Sequence, residues 1–363
     1  MRHVAIALLL TAALLGCKKN DDPTTNGASV SIYVVSTLAG TGTSGRADGT
    51  GGTATFAGPN QTALDAQGNL YVTDSDNHCI RKVTPAGLVS TLAGRGIAGY
   101  LDGPAATAAF NYPTGVAVDG QGTVYVADYN NNCIRAISPA GVVSTLAGTT
   151  TPGLQDGPAA TARFWEPMGL ACDQQGRLYV ADARNERIRQ ISAQGVVSTL
   201  AGSGSTDVKF VPDNFADGPA VTALFYYPSG VAVDGQGTVY VADYNNHRIR
   251  KIAAGTVSTV AGSTGGYADG LGSQAKLYLP TSLAVDAGGV LYVADWGNGC
   301  LRRIETTGQV SLLAGNPRTL GYLDGPAATS VFSRSAGIAV LPSGALLYVA
   351  DSNNRRIRQL TRQ

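Results

Sequence analysis

Residues 99–148 read GYLDGPAATAAFNYPTGVAVDGQGTVYVADYNNNCIRAISPAGVVSTLAG, and this stretch contains one whole structural unit. Four short runs in it, GVAVD, TVYVAD, CIRAI and VVSTLAG, have the apolar and β-branched content of strands. Turn chemistry separates them, as in Asp119-Gly120-Gln121-Gly122 and Pro139-Ala140-Gly141. The second run, Val124-Tyr125-Val126-Ala127, is apolar without alternation, so both of its faces need cover. A lone four-stranded meander has no element to cover them. Further copies of the same unit would.

Those copies are present. The string YV[AT]D occurs at 71–74, 125–128, 179–182, 240–243, 292–295 and 348–351, and VSTLAG or a close variant begins at 35, 89, 143, 197, 257 and 310. Sheets stacked around an axis bury their second strands between neighbours, which is the logic of a β-propeller. The phase of the repeat then decides how the ring closes. The repeat region opens with a fourth strand at 33–40 and ends with a third at Arg356 to Leu360. Pairing the two completes the last blade and removes both open edges. The expected fold is all-β: a six-bladed propeller of four-stranded antiparallel blades over residues 31–363, closed by its N-terminal strand in the last blade.

The full pattern, AG-x-G-x-x-G-x-x-DG-x-A-x-F-x-x-P-x-G-[VI]-A-V-D-x-x-G-x-[LV]-YVAD-x-x-N-x-x-IR, resembles the NHL-repeat family across about residues 33–363. The Asn-His pair that names the family stands at Asn77-His78 and Asn246-His247. Departures are local: Ser335 and Leu341 replace the usual Pro and Asp of the last unit, and seven extra residues lie between Gly202 and Asp217. The resemblance implies two classes of function. Some relatives are binding scaffolds, whereas others are lyases or lactonases with a metal in the central channel, held by histidines or by carboxylate and Asn side chains.

At the N-terminus, Arg2 is followed by an apolar run from Val4 to Leu15, which is too short to span a bilayer. It ends in Leu14-Leu15-Gly16-Cys17, which resembles the lipobox of bacterial lipoproteins. Residues 1–17 are therefore expected to be a lipoprotein signal with acylation at Cys17, and residues 18–30 a flexible polar tether. Lys18 stands where an inner-membrane retention signal would place Asp, which points to the outer membrane and, through the Lys-Lys-Asn-Asp-Asp run, to the cell surface. The chain carries 26 basic and 25 acidic residues, a balance that gives no steering toward nucleic acid.

The repeated carboxylates are expected to be structural. Asp65, Asp119, Asp173, Asp234 and Asp286 open Asp-x-x-Gly turns, and the Asp of each YV[AT]D precedes an Asn by three residues. His78 and His247 occupy equivalent loops on opposite blades, too far apart for one metal, and read as solvated loop side chains. No metal, cofactor or catalytic residue is expected. Cys79, Cys133 and Cys300 share one repeat position in separate blades and should be free thiols, and Cys172 a small buried apolar residue.

Aromatic residues carry the functional signal. Tyr112, Trp165 and Tyr227 lie between a fourth strand and the next first strand, and Tyr129, Tyr244 and Trp296 lie between second and third strands. Both connections emerge on one face of an up-and-down propeller. The position of Tyr129, Tyr244 and Trp296 holds Ser75, Ala183 and Ser352 in the other blades, the variation expected of a recognition surface on a fixed scaffold. The bland alternative, small cores inside long loops, suits Tyr100, Tyr267 and Tyr322 well. The sequence thus points to a monomeric, membrane-tethered scaffold whose aromatic face takes a protein or glycan; the alternative is a channel-centred, metal-dependent lyase or lactonase.

Overall fold

The computed structural model describes residues 33–204 and 214–363. The expected signal and tether, residues 1–30, and most of the insertion after Gly202 lie outside these described residues. Six antiparallel sheets form six blades. In the unit at 99–148 the strands run from Pro113–Val118 at the axis through Val124–Asp128 and Cys133–Ile137 to Val142–Ala147 at the rim. Each inner strand packs against the inner strands of the two flanking blades, which closes the circle.

Five of the six sheets have five strands, where four were expected. The extra strand is the Asp-Gly segment that enters these units, followed by Pro in four of them and by Leu271 in the fifth blade: Gly103 and Pro104 pair with Val143 and Val142 on the outer edge. Two residues are too few to produce a periodic signal. Proline ends the pairing because it has no N–H, so the segment also blunts the exposed edge. Only the first blade stays four-stranded among the described residues, where Gly49 makes a single bridge to Val89.

The last blade closes as its phase requires. Tyr33–Ala39 pairs with Arg356–Arg362, with Tyr33 opposite Arg362, Val35 opposite Leu360 and Thr37 opposite Arg358. The Tyr33 hydroxyl donates to the Gly344 carbonyl, and the Asp324 carboxylate accepts from the N–H and hydroxyl of Thr37. Residues from the two ends of the repeat region therefore share one sheet.

An Asp–Arg–Asp relay holds each unit together. Asp182, fully buried, accepts from Arg189, from the Asn185 amide and from the Trp165 backbone N–H. Arg189, also fully buried, reaches on to Asp156 near the rim, and Asp156 accepts from the Thr199 N–H. The same set recurs around Arg81, Arg135, Arg250, Arg302 and Arg358. Each guanidinium also lies over a ring, such as Arg135 between Phe110 at 5.2 Å and Tyr100 at 4.9 Å. Tyr267 and Tyr322 cover Arg302 and Arg358 in the same way, so these three tyrosines belong to the scaffold.

Candidate ligand-binding face

Two short backbone devices build one face of the ring. Between second and third strands the chain makes a three-residue 3-10 turn, as in Tyr129–Asn131, ended by a left-handed residue such as Asn132. Just before five of the six inner strands a second left-handed residue appears: Tyr112, Glu166, Tyr227, Leu279 and Arg334 have φ between 52 and 57°. The two devices lock adjacent blades. His78 Nδ1 accepts from the Tyr112 N–H at 3.0 Å, Asn132 from the Glu166 N–H at 3.0 Å, and His247 Nδ1 from the Leu279 N–H at 3.1 Å. The histidines are thus half-buried acceptors at blade junctions rather than solvated side chains, and His247 also packs on Tyr278.

These turns bring five of the six expected aromatic residues into a crescent over the second to fifth blades. Tyr112 meets Tyr129 edge-on at 6.0 Å, Tyr227 meets Tyr244 at 6.3 Å, and Tyr244 meets Trp296 at 6.3 Å. The Tyr129 and Tyr227 hydroxyls approach to 2.8 Å and bridge the two halves. Trp165 sits outside this line, 43% exposed, and joins it through Arg184, whose guanidinium lies 6.0 Å from both the Trp165 and Tyr227 rings.

Three polar residues that a search by aromatic type passes over organise the crescent. Glu166 accepts from Tyr129 at 2.7 Å, Tyr227 at 3.3 Å and Arg184 at 2.9 Å. Arg334 lies 4.5 Å over Trp296. Glu166 and Arg334 occupy the position of Tyr112 and Tyr227 in their own blades, so comparison by repeat position would have found them. Burial, then Tyr227 and Glu166, push the Tyr129 phenol well above its usual range; burial also raises Tyr227 and Tyr244. All three stay neutral hydroxyl donors at physiological pH.

The axis itself is narrow. A Cβ on Gly115 would stand 1.9 Å from the Met168 carbonyl and one on Gly337 2.3 Å from that of Asn60, so glycine lets the inner strands touch. The first blade carries Gln61 at this position, buried, its amide reaching across to the Ser229 carbonyl of the opposite blade at 3.5 Å. Beyond it, a vestibule of about 200 Å³ is walled by residues such as Leu64, Val118, Val233 and Val340. Cys172 lines this vestibule half-buried, whereas Cys79, Cys133 and Cys300 are buried; all four are free thiols, and burial pushes Cys79 up to about 12. Among the described residues no three His, Cys, Asp or Glu side chains converge in a metal-binding group.

The family model described as NHL repeat matches residues 56–83, 110–137, 225–252 and 277–304, the first, second, fourth and fifth blades. The chain is an NHL-repeat protein. Its propeller is 27% identical over 341 residues to NHL repeat-containing protein 2 of Bos taurus, covering 83% of this chain and 46% of that protein. It is 28% identical over 324 residues to Protein SUPPRESSOR OF QUENCHING 1, chloroplastic, of Arabidopsis thaliana, covering 83% of this chain and 30% of that protein. The chain therefore spans less than half the length of these relatives. In fold, this NHL propeller matches an auxiliary nutrient binding protein from Bacteroides thetaiotaomicron at TM-score 0.67 and 18% identity, covering 90% of this chain and 76% of the other.

Proposed function

We propose that this NHL propeller is an exported binding scaffold, anchored by lipid at Cys17 in the bacterial envelope, that engages a protein or glycan through its aromatic face. The observation that carries the reading is the crescent from Tyr112 to Trp296, a continuous aromatic surface in which the position of Tyr129, Tyr244 and Trp296 is Ser or Ala in the other blades. Tyr129 and Tyr227 are held in place by Glu166 before any ligand arrives, and preorganisation of this kind lowers the entropic cost of binding. The Bacteroides nutrient-binding propeller shares the fold, which is compatible with this role. A metal-dependent lyase or lactonase would need ligands at the axis, where the vestibule side chains are mostly Ala, Val, Leu and Ile, and this favours the binding reading.

The first described strand and the crescent lie at opposite ends of the blade strands. Tyr33 is fixed beside Gly344 and Arg362, at the end of the blade where first and second strands are joined. The 3-10 turns of the crescent stand at the opposite ends of these strands. Tyr33 thus enters the ring on the face away from the crescent. Replacing Tyr129, Tyr244 and Trp296 together by Ala should abolish capture in glycan-array and pull-down assays while the chain still melts cooperatively. Capture equal to that of the parent chain would sink the reading.

A further inference from the structure

The crescent leaves a gap over the sixth and first blades, and a cavity of about 480 Å³ fills it. That volume lies within the roughly 300–1,000 Å³ of small-molecule sites. Tyr112 and Trp296, the two ends of the crescent, line the cavity, together with Asn60, Asp76, Asn353 and Arg355.

These four polar side chains differ from several of their counterparts in other blades, which are engaged internally. At the position of Asp76 and Asn353, Asn130 donates to Asn111 and Arg184 to Glu166. At the position of Arg355, His78, Asn132 and His247 accept from a neighbouring backbone N–H. At the position of Asn60, Thr114 and Ser229 donate to carbonyls of the adjoining blade. Around the cavity this pairing lapses. The Gly58 N–H, whose counterparts in Tyr112, Glu166 and Leu279 donate to the preceding blade, turns instead to Asp74. The Arg355 Nε is buried with no partner, and Asp76 and Arg355 line one cavity without forming an ion pair among the described residues.

We infer that this cavity is the subsite for a neutral sugar ring at the end of a glycan, an inference that rests on the binding-face reading above. The axial C–H faces of a pyranose carry partial positive charge and suit the negative faces of Tyr112 and Trp296. Its vicinal hydroxyls both donate and accept, and they match a mixed set of amide, carboxylate and guanidinium. One carboxylate and one guanidinium leave the site without net charge, which favours a neutral sugar over a uronic acid. The rest of the glycan then runs over Tyr129 and Tyr244.

The test uses the full chain, its tryptophan emission, and a panel of neutral hexasaccharides (malto-, cello-, laminari-, xylo- and manno-) with oligogalacturonate as the charged counterpart. At least one neutral oligosaccharide should change the emission and bind about tenfold or more tightly to the parent chain than to Asp76→Ala or Asn353→Ala. Both substitutions replace exposed side chains without internal partners, so unchanged melting curves should accompany the loss. Glycan binding that survives both substitutions but not Tyr129→Ala would overturn the subsite and leave the face reading intact. Tighter binding of oligogalacturonate than of every neutral sugar would overturn the assignment of a neutral ring. Binding of no sugar, with a purified protein partner captured through Tyr244 and Trp296, would overturn the glycan assignment alone. Loss of nothing on any crescent substitution would overturn both.

Discussion

Arg189 touches three parts of its unit at once: Asp182 beneath it, Asp156 at the rim, and the Arg163 and Gln155 carbonyls between them. Its guanidinium is fully buried, so removing it strands the equally buried Asp182 carboxylate. Arg189→Leu should cost about 3–5 kcal/mol in urea unfolding, whereas the half-exposed pair of Arg303 and Glu305 should contribute no more than about 1 kcal/mol. Turn carboxylates behave differently. Burial would raise Asp173, but hydrogen bonds from Arg177 and Tyr179 outweigh it and hold the carboxyl below its usual 3.8. The folded value lies below the unfolded one, so this stabilisation is present at neutral pH and is lost as pH falls through the folded value. Asp173→Asn should therefore flatten the stability–pH curve below about pH 4; a curve as steep as that of the parent chain would remove Asp173 from the acid response. The Asp-x-x-Gly turns were legible in sequence because their hydrogen bonds are local, as in Asp173 accepting from the Gln175 N–H at 3.0 Å. The Arg relay was not, because Asp156 and Arg189 are 33 residues apart and a repeated Arg has the same spacing whether buried or exposed.

Among the elements, the strand Tyr33–Ala39 has the largest consequence for the ring. Without it, Arg356–Arg362 becomes an open edge, and Asp324 loses the Thr37 donors that its counterparts find within their own blades. Deleting residues 33–39 should replace the cooperative thermal transition with a broad one and raise binding of a hydrophobic dye. A sharp melt at the parent temperature would show that the ring does not depend on this latch. The latch was readable from phase alone, since a circular permutation of the repeat leaves one fourth strand and one third strand to find each other. The Gly103–Pro104 strand had no such signature, because two residues held by Asp102 contacts to Thr145 and Arg135 carry no alternation.

Across the whole molecule, six equivalent units make a scaffold and their differences make a site. Both described chain ends, Tyr33 and Arg362, pair with each other on the face away from the crescent. A fluorescent protein fused after Gln363 should leave ligand capture unchanged, whereas a bulky maleimide on Asn130→Cys, an exposed crescent-side position, should block it. Blockage by the fusion instead would place the functional surface on the turn side. By themselves, the residues determined blade number, ring closure and the face on which the aromatic side chains gather, because each follows from a repeat period and strand direction. Only the tertiary structure decided which aromatic residues meet, that Glu166 and Arg184 tie Tyr129 to Tyr227, and that His78 and His247 are blade-to-blade acceptors. It also placed Asn60, Asp76, Asn353 and Arg355, whose side chains make no hydrogen bond among the described residues, around one cavity. Those relations join residues up to 295 positions apart, and their distances are set by the circumference of the ring rather than by any spacing along the chain.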